Sequence, residues 1–285
     1  MTRKVAILIS ILLALSANVL SQQQEKSVTV FGAKINYVEA GDPGKPKVIL
    51  LHGLGGSIGN WQTNIAAIGQ NYHVIALDHI GFGKSDKPPL KYRLGTFVDF
   101  LDKFMSELKI EKASLVGNSL GGWIAALTAI KYPNRVEKIV LADAAGIIPA
   151  TYNEAEVYQL NNSTRDEIRL NLKRLFATPA LQNNEALVDQ FLTLRVLSGD
   201  GNTINSLIES IKRKEDFLNT RLGEIKKPTL IIWGKQDGLL PVADAYTFNK
   251  GIVNSELVIF DNCGHAPQFE KAIDFNKAVL AFLAK

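Results

Sequence analysis

The sequence has almost no cysteine, since Cys263 is the single one among 285 residues. One thiol cannot form an intramolecular disulfide, and a CxxC redox or zinc motif needs two. The chain therefore folds on its hydrophobic core alone, which 46% hydrophobic residues can build at this length. This length fits one large domain, with room for an inserted subdomain.

A strong excess of one charge is also missing. The 32 basic and 28 acidic side chains leave a formal net charge of +4. No basic stripe with interleaved aromatic residues occurs, so the sequence predicts no nucleic-acid partner. Internal repeats and low-complexity segments are absent from the sequence as well.

A basic and then apolar segment opens the chain. Arg3 and Lys4 precede the apolar residues 5–15 and a short polar stretch. This order is typical of a secretory signal peptide, and the apolar run is short for a transmembrane helix. We expect residues 1–21 to be removed, which leaves 30 basic and 28 acidic side chains, or +2, in an exported (periplasmic or secreted) protein without stable membrane association. An uncleaved membrane anchor is the alternative.

Strand and helix patterns alternate along the rest of the chain, which implies a mostly parallel sheet with helices on both faces. Eight segments have strand patterns: residues 28–31, 35–39, 47–51, 73–77, 113–117, 138–141, 229–233 and 256–260. The first two resemble an edge hairpin, and the run at 47–51 is continuously apolar, as in a strand buried on both faces. The class is therefore α/β.

The alternation stops once, between residues 146 and 226. Only helical patterns occur there, at residues 165–176, 185–197 and 203–214. An insertion after a sheet strand predicts a helical cap over the carboxyl edge of the sheet. We accordingly divide the chain into a core, residues 22–146 and 226–285, and a helical cap, residues 147–225.

The motif Gly117-Asn118-Ser119-Leu120-Gly121 follows a predicted strand and precedes a predicted helix. A G-x-S-x-G motif in that setting places its serine on a sharp turn that exposes the hydroxyl. The flanking backbone passes so close to the serine that glycine is favoured on both sides. The N-terminus of the following helix favours developing negative charge. The motif therefore predicts Ser119 as a nucleophile.

A serine hydroxyl needs a base near neutral pH, and the chain has four histidines. His265 follows the last predicted strand, which places it at the same sheet edge as Ser119. His73 begins a strand at the opposite edge, whereas we interpret His52 and His79 as parts of loop structure. The sequence therefore predicts His265 as the general base.

The base in turn needs an acid that fixes its tautomer. Asp237 comes after the predicted strand at 229–233, and the order Ser119, Asp237, His265 is one of the chain orders that occur with this motif. Asp143 follows the strand after the nucleophile's helix and is the rival candidate. We favour Asp237.

An oxyanion hole requires two preorganised N–H donors. One is predicted to be the backbone N–H of Leu120, directly after the nucleophile. The other is expected from the glycine-rich loop at residues 52–57, where the Leu54 N–H is the best candidate. This loop lacks the lysine and hydroxyl of a Walker motif, so it is not a phosphate loop. We expect no cofactor and no metal.

Together these motifs resemble the α/β-hydrolase superfamily across nearly the whole predicted mature chain. The resemblance implies an eight-stranded, mostly parallel α/β-hydrolase sheet with a helical cap insertion. Haloalkane dehalogenases and soluble epoxide hydrolases of this frame use aspartate as nucleophile, so Ser119 argues against both. Three features look like the branch of meta-cleavage-product C–C hydrolases and small carboxylesterases: Asn118, the Gly121-Gly122 pair and Cys263-Gly264-His265.

Substrate contacts are less specified by the sequence. In the C–C hydrolases a cap arginine binds the substrate carboxylate, and Arg195 falls near the corresponding place. A solvated cap arginine is the alternative. Gly53 and Asn118, beside the oxyanion loop and the nucleophile, are further candidates for substrate contact. Gly56 and Ala266 stand where that branch usually has proline and tryptophan, which weakens the C–C interpretation.

We therefore predict a serine esterase that cleaves small-molecule carboxylic esters of small to medium acyl chains through an acyl-enzyme. Apolar cap residues are expected to form the acyl pocket: Ile147, Ile148, Leu175, Phe176, Phe191 and Leu194. The first alternative is hydrolysis of a C–C bond in a meta-cleavage product, or of an enol-lactone. The leader argues against it, since such steps normally occur where cofactors and coenzyme A are available. A non-catalytic binding module of the same fold is the second alternative.

Overall fold

One eight-stranded sheet forms the centre of the protein, in the order β1-β2-β4-β3-β5-β6-β7-β8. The computed structural model describes residues 24–148, Val157 and residues 160–285, so the predicted signal peptide lies outside the described residues. The strands are β1 Lys26–Val30, β2 Ala33–Ala40, β3 Lys47–Leu51, β4 His73–Leu77, β5 Ala113–Asn118, β6 Val136–Ala142, β7 Thr229–Gly234 and β8 Ser255–Phe260.

The sheet is mostly parallel, as predicted. Strand β2 pairs antiparallel with both β1 and β4, while every pair from β4 through β8 is parallel. Because parallel strands end at the same edge, the loops after β3, β5, β6, β7 and β8 meet at the carboxyl edge of the sheet. The predicted fold class, an eight-stranded mostly parallel sheet with flanking helices, is confirmed.

The α-helices of the described residues are α1 Ile65–Gly69, α2 Leu94–Glu107, α3 Leu120–Lys131, α4 Arg165–Leu175, α5 Pro179–Gln182, α6 Glu185–Ser198, α7 Gly201–Lys212, α8 Val242–Gly251, α9 Pro267–Glu270 and α10 Ala272–Leu283. The apolar residues between 61 and 68 have the spacing of one helix, and the sequence alone would predict a helix there. The structure instead has a 3-10 turn, Ile58–Trp61, followed by α1. The C-terminal helix is likewise interrupted, at Lys271, whose φ of −126° and ψ of 39° are not helical. None of the described helices is both long and apolar enough to span a membrane.

The core lies on both faces of the sheet. In β3, Ile49 and Leu51 belong to the cluster that includes residues of α2, α3 and α8, whereas Val48 and Leu50 belong to the cluster with α1 and α10. Successive side chains of a strand point to opposite faces, so each of these strands has to be apolar throughout. This explains why β3 and β4 match their sequence-predicted bounds.

The cap helices α4 to α7 lie between β6 and β7 in the chain. Helix α4 begins with a capping box in which Thr164 and Glu167 bond each other's backbone N–H groups. A small core of its own holds α4 and α6 together: Ile168, Leu172, Phe176 and Val188. Helix α7 instead packs into the main core, through Ile204, Leu207 and Ile208. Residues 149–156, 158 and 159 of the predicted cap range lie outside the described residues.

Candidate active site

Ser119 stands on a strained turn between β5 and α3. Its φ of 54° and ψ of −119° are rare for a residue with a side chain, and such strain persists only where the surroundings fix it. The Ser119 N–H donates to the Ala142 carbonyl at the end of β6, at 3.0 Å. The Trp123 and Ala145 N–H groups both donate to the Ser119 carbonyl, at 3.1 Å each. The turn is therefore anchored from three elements.

Glycine at position 121 is required by close backbone contact. A Cβ atom there would lie 2.0 Å from the Leu51 carbonyl oxygen, while a Cβ at Gly117 would lie 2.2 Å from the Gly121 oxygen. Real Cβ atoms do not approach backbone so closely. The two motif glycines thus allow the strand, the turn and the helix to meet.

Replacing Gly121 with alanine is expected to lower the free energy of unfolding by about 3 kcal/mol, because backbone atoms of β3 must move to admit the methyl group. Thermal or denaturant unfolding measures the loss. Gly95→Ala in α2 is the matched control, since a Cβ there meets no atom within 4 Å. We expect this control to be neutral or to stabilise by up to about 1 kcal/mol. Wild-type stability of Gly121→Ala would contradict the packing described.

His265 and Asp237 form a short hydrogen bond below the surface. The His265 Nδ1–H donates to Asp237 Oδ2 at 2.7 Å, and both side chains are almost fully buried. The other carboxylate oxygen, Oδ1, accepts the N–H groups of Leu239 and Leu240 at 2.7 and 3.0 Å. With Nδ1 engaged in this way, Nε2 is the ring nitrogen left to accept a proton.

Helix α4 of the cap bonds to both loops that carry this pair. The His265 N–H donates to the Leu175 carbonyl at 2.7 Å, and the Gly238 N–H donates to the Arg174 carbonyl at 3.0 Å. The two loops thus supply N–H donors for carbonyls at the carboxyl end of the helix that would otherwise be unpaired. Catalytic loops and cap are joined by main-chain hydrogen bonds.

Asp143, the rival acid, lies close behind Asp237 and is not hydrogen-bonded to His265. Donor atoms of Asp143, Asp237 and His265 all lie within 4.8 Å of one another, so these residues are close enough to hold a metal ion. The short hydrogen bond between Asp237 and His265 already uses one oxygen and one nitrogen of that set. Burial, and then the charge of Asp237, raise the pKa of Asp143 well above its usual range.

Leu54 and Leu120, the predicted oxyanion donors, follow β3 and β5 at the carboxyl edge of the sheet. Leu120 is the first residue of α3, where an N–H has no acceptor within the helix. Residues 53–56 form a turn in which the Gly56 N–H donates to the Gly53 carbonyl at 3.1 Å, and Gly55 has a φ of 66°. The Leu54 N–H has no acceptor within such a turn.

Asn118 and Gly53 lie beside the nucleophile. The Asn118 Nδ2 donates to the carbonyls of Ala142 and His265, at 3.2 and 3.1 Å, so this side chain ties the nucleophile's strand to the histidine loop. A Cβ atom at Gly53 would lie 3.2 Å from the Ser119 Cβ. Both residues line the same cavity as Ser119.

His52 and His79 are hydrogen-bonded within loop structure. His52 Nδ1 lies 2.8 Å from the Gly53 carbonyl, and His52 Nε2 accepts the His79 N–H at 3.1 Å. Burial lowers the pKa of both His52 and His79, so both rings stay neutral. His73 begins β4 at the opposite edge of the sheet.

A cavity of about 450 Å³ lies between the cap and the carboxyl edge of the sheet. Ser119, His265, Leu54 and Leu120 all line it. Four predicted pocket residues also line it: Ile147, Leu175, Phe176 and Phe191. The expectation for Leu194 is wrong, since its side chain is exposed on the outer face of α6, and Ile148 is not among the lining residues either.

Arg195 lines this cavity and is partly buried, with its side chain 17% exposed. Its Nη1 donates to Asp200 Oδ1 and its Nη2 to Asn161 Oδ1, both at 2.6 Å. Its Nε donates to the Asn162 carbonyl at 3.4 Å. The guanidinium lies next to the oxyanion turn, because a Cβ atom built on Gly55 would be 3.3 Å from Arg195 Nη1.

Sequence reasoning missed Gln268, which lines the same cavity. The residue is 1% exposed, and its Oε1 has no hydrogen-bond partner among the described residues. A buried amide oxygen without a partner is costly unless a ligand or water satisfies it. Gln268 lies three residues after the predicted base, His265, and this closeness in sequence could have indicated a place in the site.

Several known proteins resemble this chain over most of its length. It is 35% identical over 271 residues to a 2-hydroxy-6-oxononadienedioate/2-hydroxy-6-oxononatrienedioate hydrolase of Klebsiella pneumoniae, covering 88% of this chain and 91% of the relative. It is 31% identical to an acetoin-cleaving-system dihydrolipoyllysine acetyltransferase component of Cupriavidus necator, covering 87% of this chain but only 66% of that longer protein.

Solved structures of similar proteins have the same architecture. A meta-cleavage product hydrolase from Pseudomonas fluorescens aligns with a TM-score of 0.83 at 28% identity, covering 91% of this chain and 97% of the other. A bacterial membrane phospholipase A aligns with a TM-score of 0.81 at 29% identity, covering 98% and 95%. The family profile of the alpha/beta hydrolase fold matches residues 46–272. With the sheet, the strained serine turn and the buried His–Asp pair, this match shows that the chain belongs to the α/β-hydrolase fold family.

Proposed function

We propose that this hydrolase cleaves a C–C bond in an acidic, vinylogous diketone of the kind that ring cleavage of aromatic compounds yields. The observation that carries the proposal is the guanidinium of Arg195, which lines the cavity beside the oxyanion turn. The 35% identity to a hydrolase of such a dienedioate supports the same substrate class. The carboxylic-ester hydrolysis predicted from the sequence becomes the second candidate.

The residues can perform this reaction in two stages. Ser119 attacks the ketone carbonyl while His265 Nε2 takes the hydroxyl proton, and Asp237 stabilises the imidazolium. The N–H groups of Leu54 and Leu120 bind the oxyanion. The C–C bond then breaks, His265 returns the proton to the departing carbon, and water hydrolyses the acyl-enzyme.

Arg195 is held in a fixed orientation for a carboxylate. Three of its five N–H groups donate to Asp200, Asn161 and Asn162 among the described residues, so two remain. The side chain of Asp200 is 1% exposed, and this buried charge pairs with the guanidinium. Such a preorganised arginine can add a charge-assisted hydrogen bond to a substrate carboxylate.

Replacing Arg195 with glutamine is expected to lower kcat/KM for a 2-hydroxy-6-oxo-dienoate by about 100-fold, the effect of losing one charge-assisted contact of about 3 kcal/mol. Activity on a neutral p-nitrophenyl ester should change less than about threefold. Arg165→Gln is the matched control, because Arg165 pairs with Asp189 at an exposed site of the cap. Steady-state kinetics on both substrates make the measurement.

Arg195→Gln leaves the buried carboxylate of Asp200 without a cation, which could destabilise the protein. Arg195→Lys is a second variant that keeps a cation there. Lysine keeps the charge near Asp200 but loses the planar fork of the guanidinium. We expect it to fold with near wild-type thermal stability and to retain only part of the acidic-substrate activity. Equal losses on the acidic and the neutral substrate in both variants would remove Arg195 from substrate binding.

Ester hydrolysis is favoured by a different observation, the similarity to a membrane phospholipase A that covers 98% of this chain. Gly56 and Ala266, at positions where C–C hydrolases usually have proline and tryptophan, agree with it. The test compares p-nitrophenyl esters of increasing chain length with the dienoate. C–C cleavage is supported if kcat/KM for every ester is lower than kcat/KM for the dienoate. It is overturned if the ester with the preferred acyl chain has a kcat/KM well above that for the dienoate.

The predicted leader is a separate proposal. We propose that residues 1–21 direct export and are removed, so that the protein acts outside the cytoplasm. Expression of the full chain followed by N-terminal sequencing of the extracellular and periplasmic fractions tests this. Recovery of an uncut chain in the membrane fraction would favour the anchor alternative.

A further inference from the structure

Asp143 is a buried carboxyl group that the reaction described above does not use. It follows β6, is completely buried and has a φ of 41°. Its Oδ1 accepts the Gly234 N–H at 2.9 Å. Its Oδ2 is buried and has no donor among the described residues. An orphaned carboxyl oxygen in a close-packed site calls for a specific explanation.

We propose that Asp143 carries a proton and donates it in a hydrogen bond to Asp237, as a positioning residue behind the His265–Asp237 pair. The inference rests on the proposed serine-hydrolase function of that pair. One carboxyl oxygen of Asp143, one of Asp237 and one ring nitrogen of His265 all lie within 4.8 Å of one another. A proton held between the two carboxyl groups gives the orphaned oxygen its partner and removes the repulsion of two adjacent charges.

The charges around Asp143 favour its neutral form. Besides Asp237, the Glu270 carboxylate faces it, held by the N–H groups of Gly264 and Ala177 at 2.7 and 3.0 Å. The Cys263 thiol nearby is kept neutral by burial, which raises its pKa. Burial and the charges of Asp237 and Glu270 all favour the protonated form of Asp143.

Two more titratable groups surround the cluster. Burial and the charge of Asp237 raise the pKa of Asp244 to about 6, so this group loses its proton near neutral pH. Lys271 acts on Cys263 from the start of α10. Neither group donates to the orphaned oxygen of Asp143, so neither replaces the shared proton.

A neutral donor and a second carboxylate would affect the histidine in opposite ways. A proton donated by Asp143 spreads the charge of Asp237 and so weakens the attraction between Asp237 and the imidazolium. An ionised Asp143 would instead add a second negative charge near the imidazolium and stabilise it. Removing the group therefore shifts the acid limb of the pH profile in a direction that reveals its protonation state.

Asp143→Asn and Asp143→Gly test the proposal, since asparagine keeps a donor and glycine tolerates the positive φ. For the asparagine variant we expect kcat/KM within about threefold of wild type and an acid-side pKa within about 0.3 units. For the glycine variant we expect a loss of about tenfold or more and an acid-side pKa raised by about half a unit. An acid-side pKa lowered by about one unit in Asp143→Asn would show an ionised Asp143 and overturn the proposal.

Infrared spectroscopy of the protein without substrate gives a readout that does not depend on activity. Wild-type protein should show the C=O stretch of one protonated carboxylic acid at neutral pH that is missing in Asp143→Asn. Its absence from the wild type would also overturn the proposal. An inactive protein that shows the band would instead contradict the proposed function and leave the shared proton intact.

Discussion

Ser119→Ala is expected to lower kcat by about 10⁴-fold or more on whichever substrate the protein turns over, because no other group supplies the nucleophile. The variant should fold normally, since Ser119 takes part in the described main-chain contacts through its backbone N–H and carbonyl. Substrate binding should persist, because the cavity keeps its lining. The measurements are single-turnover kinetics and the thermal unfolding midpoint.

Ser27→Ala provides the matched control, because Ser27 lies on the exposed edge strand β1. Its kcat should equal that of the wild type. Mass spectrometry after rapid quenching should detect an acylated Ser119 in the wild type and none in the alanine variant. Full turnover by Ser119→Ala would disprove the nucleophile assignment and with it the proposed mechanism.

Asp237→Asn is expected to lower kcat by about 10⁴-fold with little change in fold. An amide at this position can turn its NH₂ group toward His265 Nδ1, which then becomes an acceptor and forces the proton onto Nε2. The ring nitrogen that should receive the serine proton is then blocked. Oxygen Oδ1 can still accept the N–H groups of Leu239 and Leu240, so the loop should keep its shape.

Asp261→Asn makes the same chemical change at an exposed residue that pairs with Lys235, and it should leave kcat unchanged. The rival carboxyl group decides how the first result is interpreted. If Asp237→Asn kept a tenth or more of the activity and Asp143→Asn did not, Asp143 would be the acid that orients His265.

The presence and approximate positions of the eight strands could be predicted because burial on both faces leaves an unambiguous pattern. Strands β3 and β4 match their predicted bounds, whereas the segment at 61–68 does not form one helix. There the chain makes a 3-10 turn capped by Ser57 before α1 begins at Ile65. A helical spacing of apolar residues does not distinguish a continuous helix from two short pieces packed on the same core.

The site could be predicted only as far as strand ends determine it. His265 and Asp237 follow parallel strands, so the edge of the sheet brings them together. The position of the Arg195 side chain depends on its contact with Asp200. Strand ends do not determine that contact, so the sequence could not show whether Arg195 faces the cavity or solvent. Leu194 was misassigned because α6 carries apolar residues on both its inner and its outer face, and composition alone does not orient it.

The two main-chain bonds from the end of α4 to the loops of Asp237 and His265 have a consequence for protein engineering. Cap residues such as Phe191 and Arg195 line the cavity, so exchanging that insertion for another is one route to a new specificity. Here the insertion also supports the catalytic loops, since the carbonyls of Arg174 and Leu175 hold the N–H groups of Gly238 and His265. A chimera with a foreign cap has to reproduce that one helical terminus, whatever else it replaces, or it will lose the alignment of its base along with its old substrate.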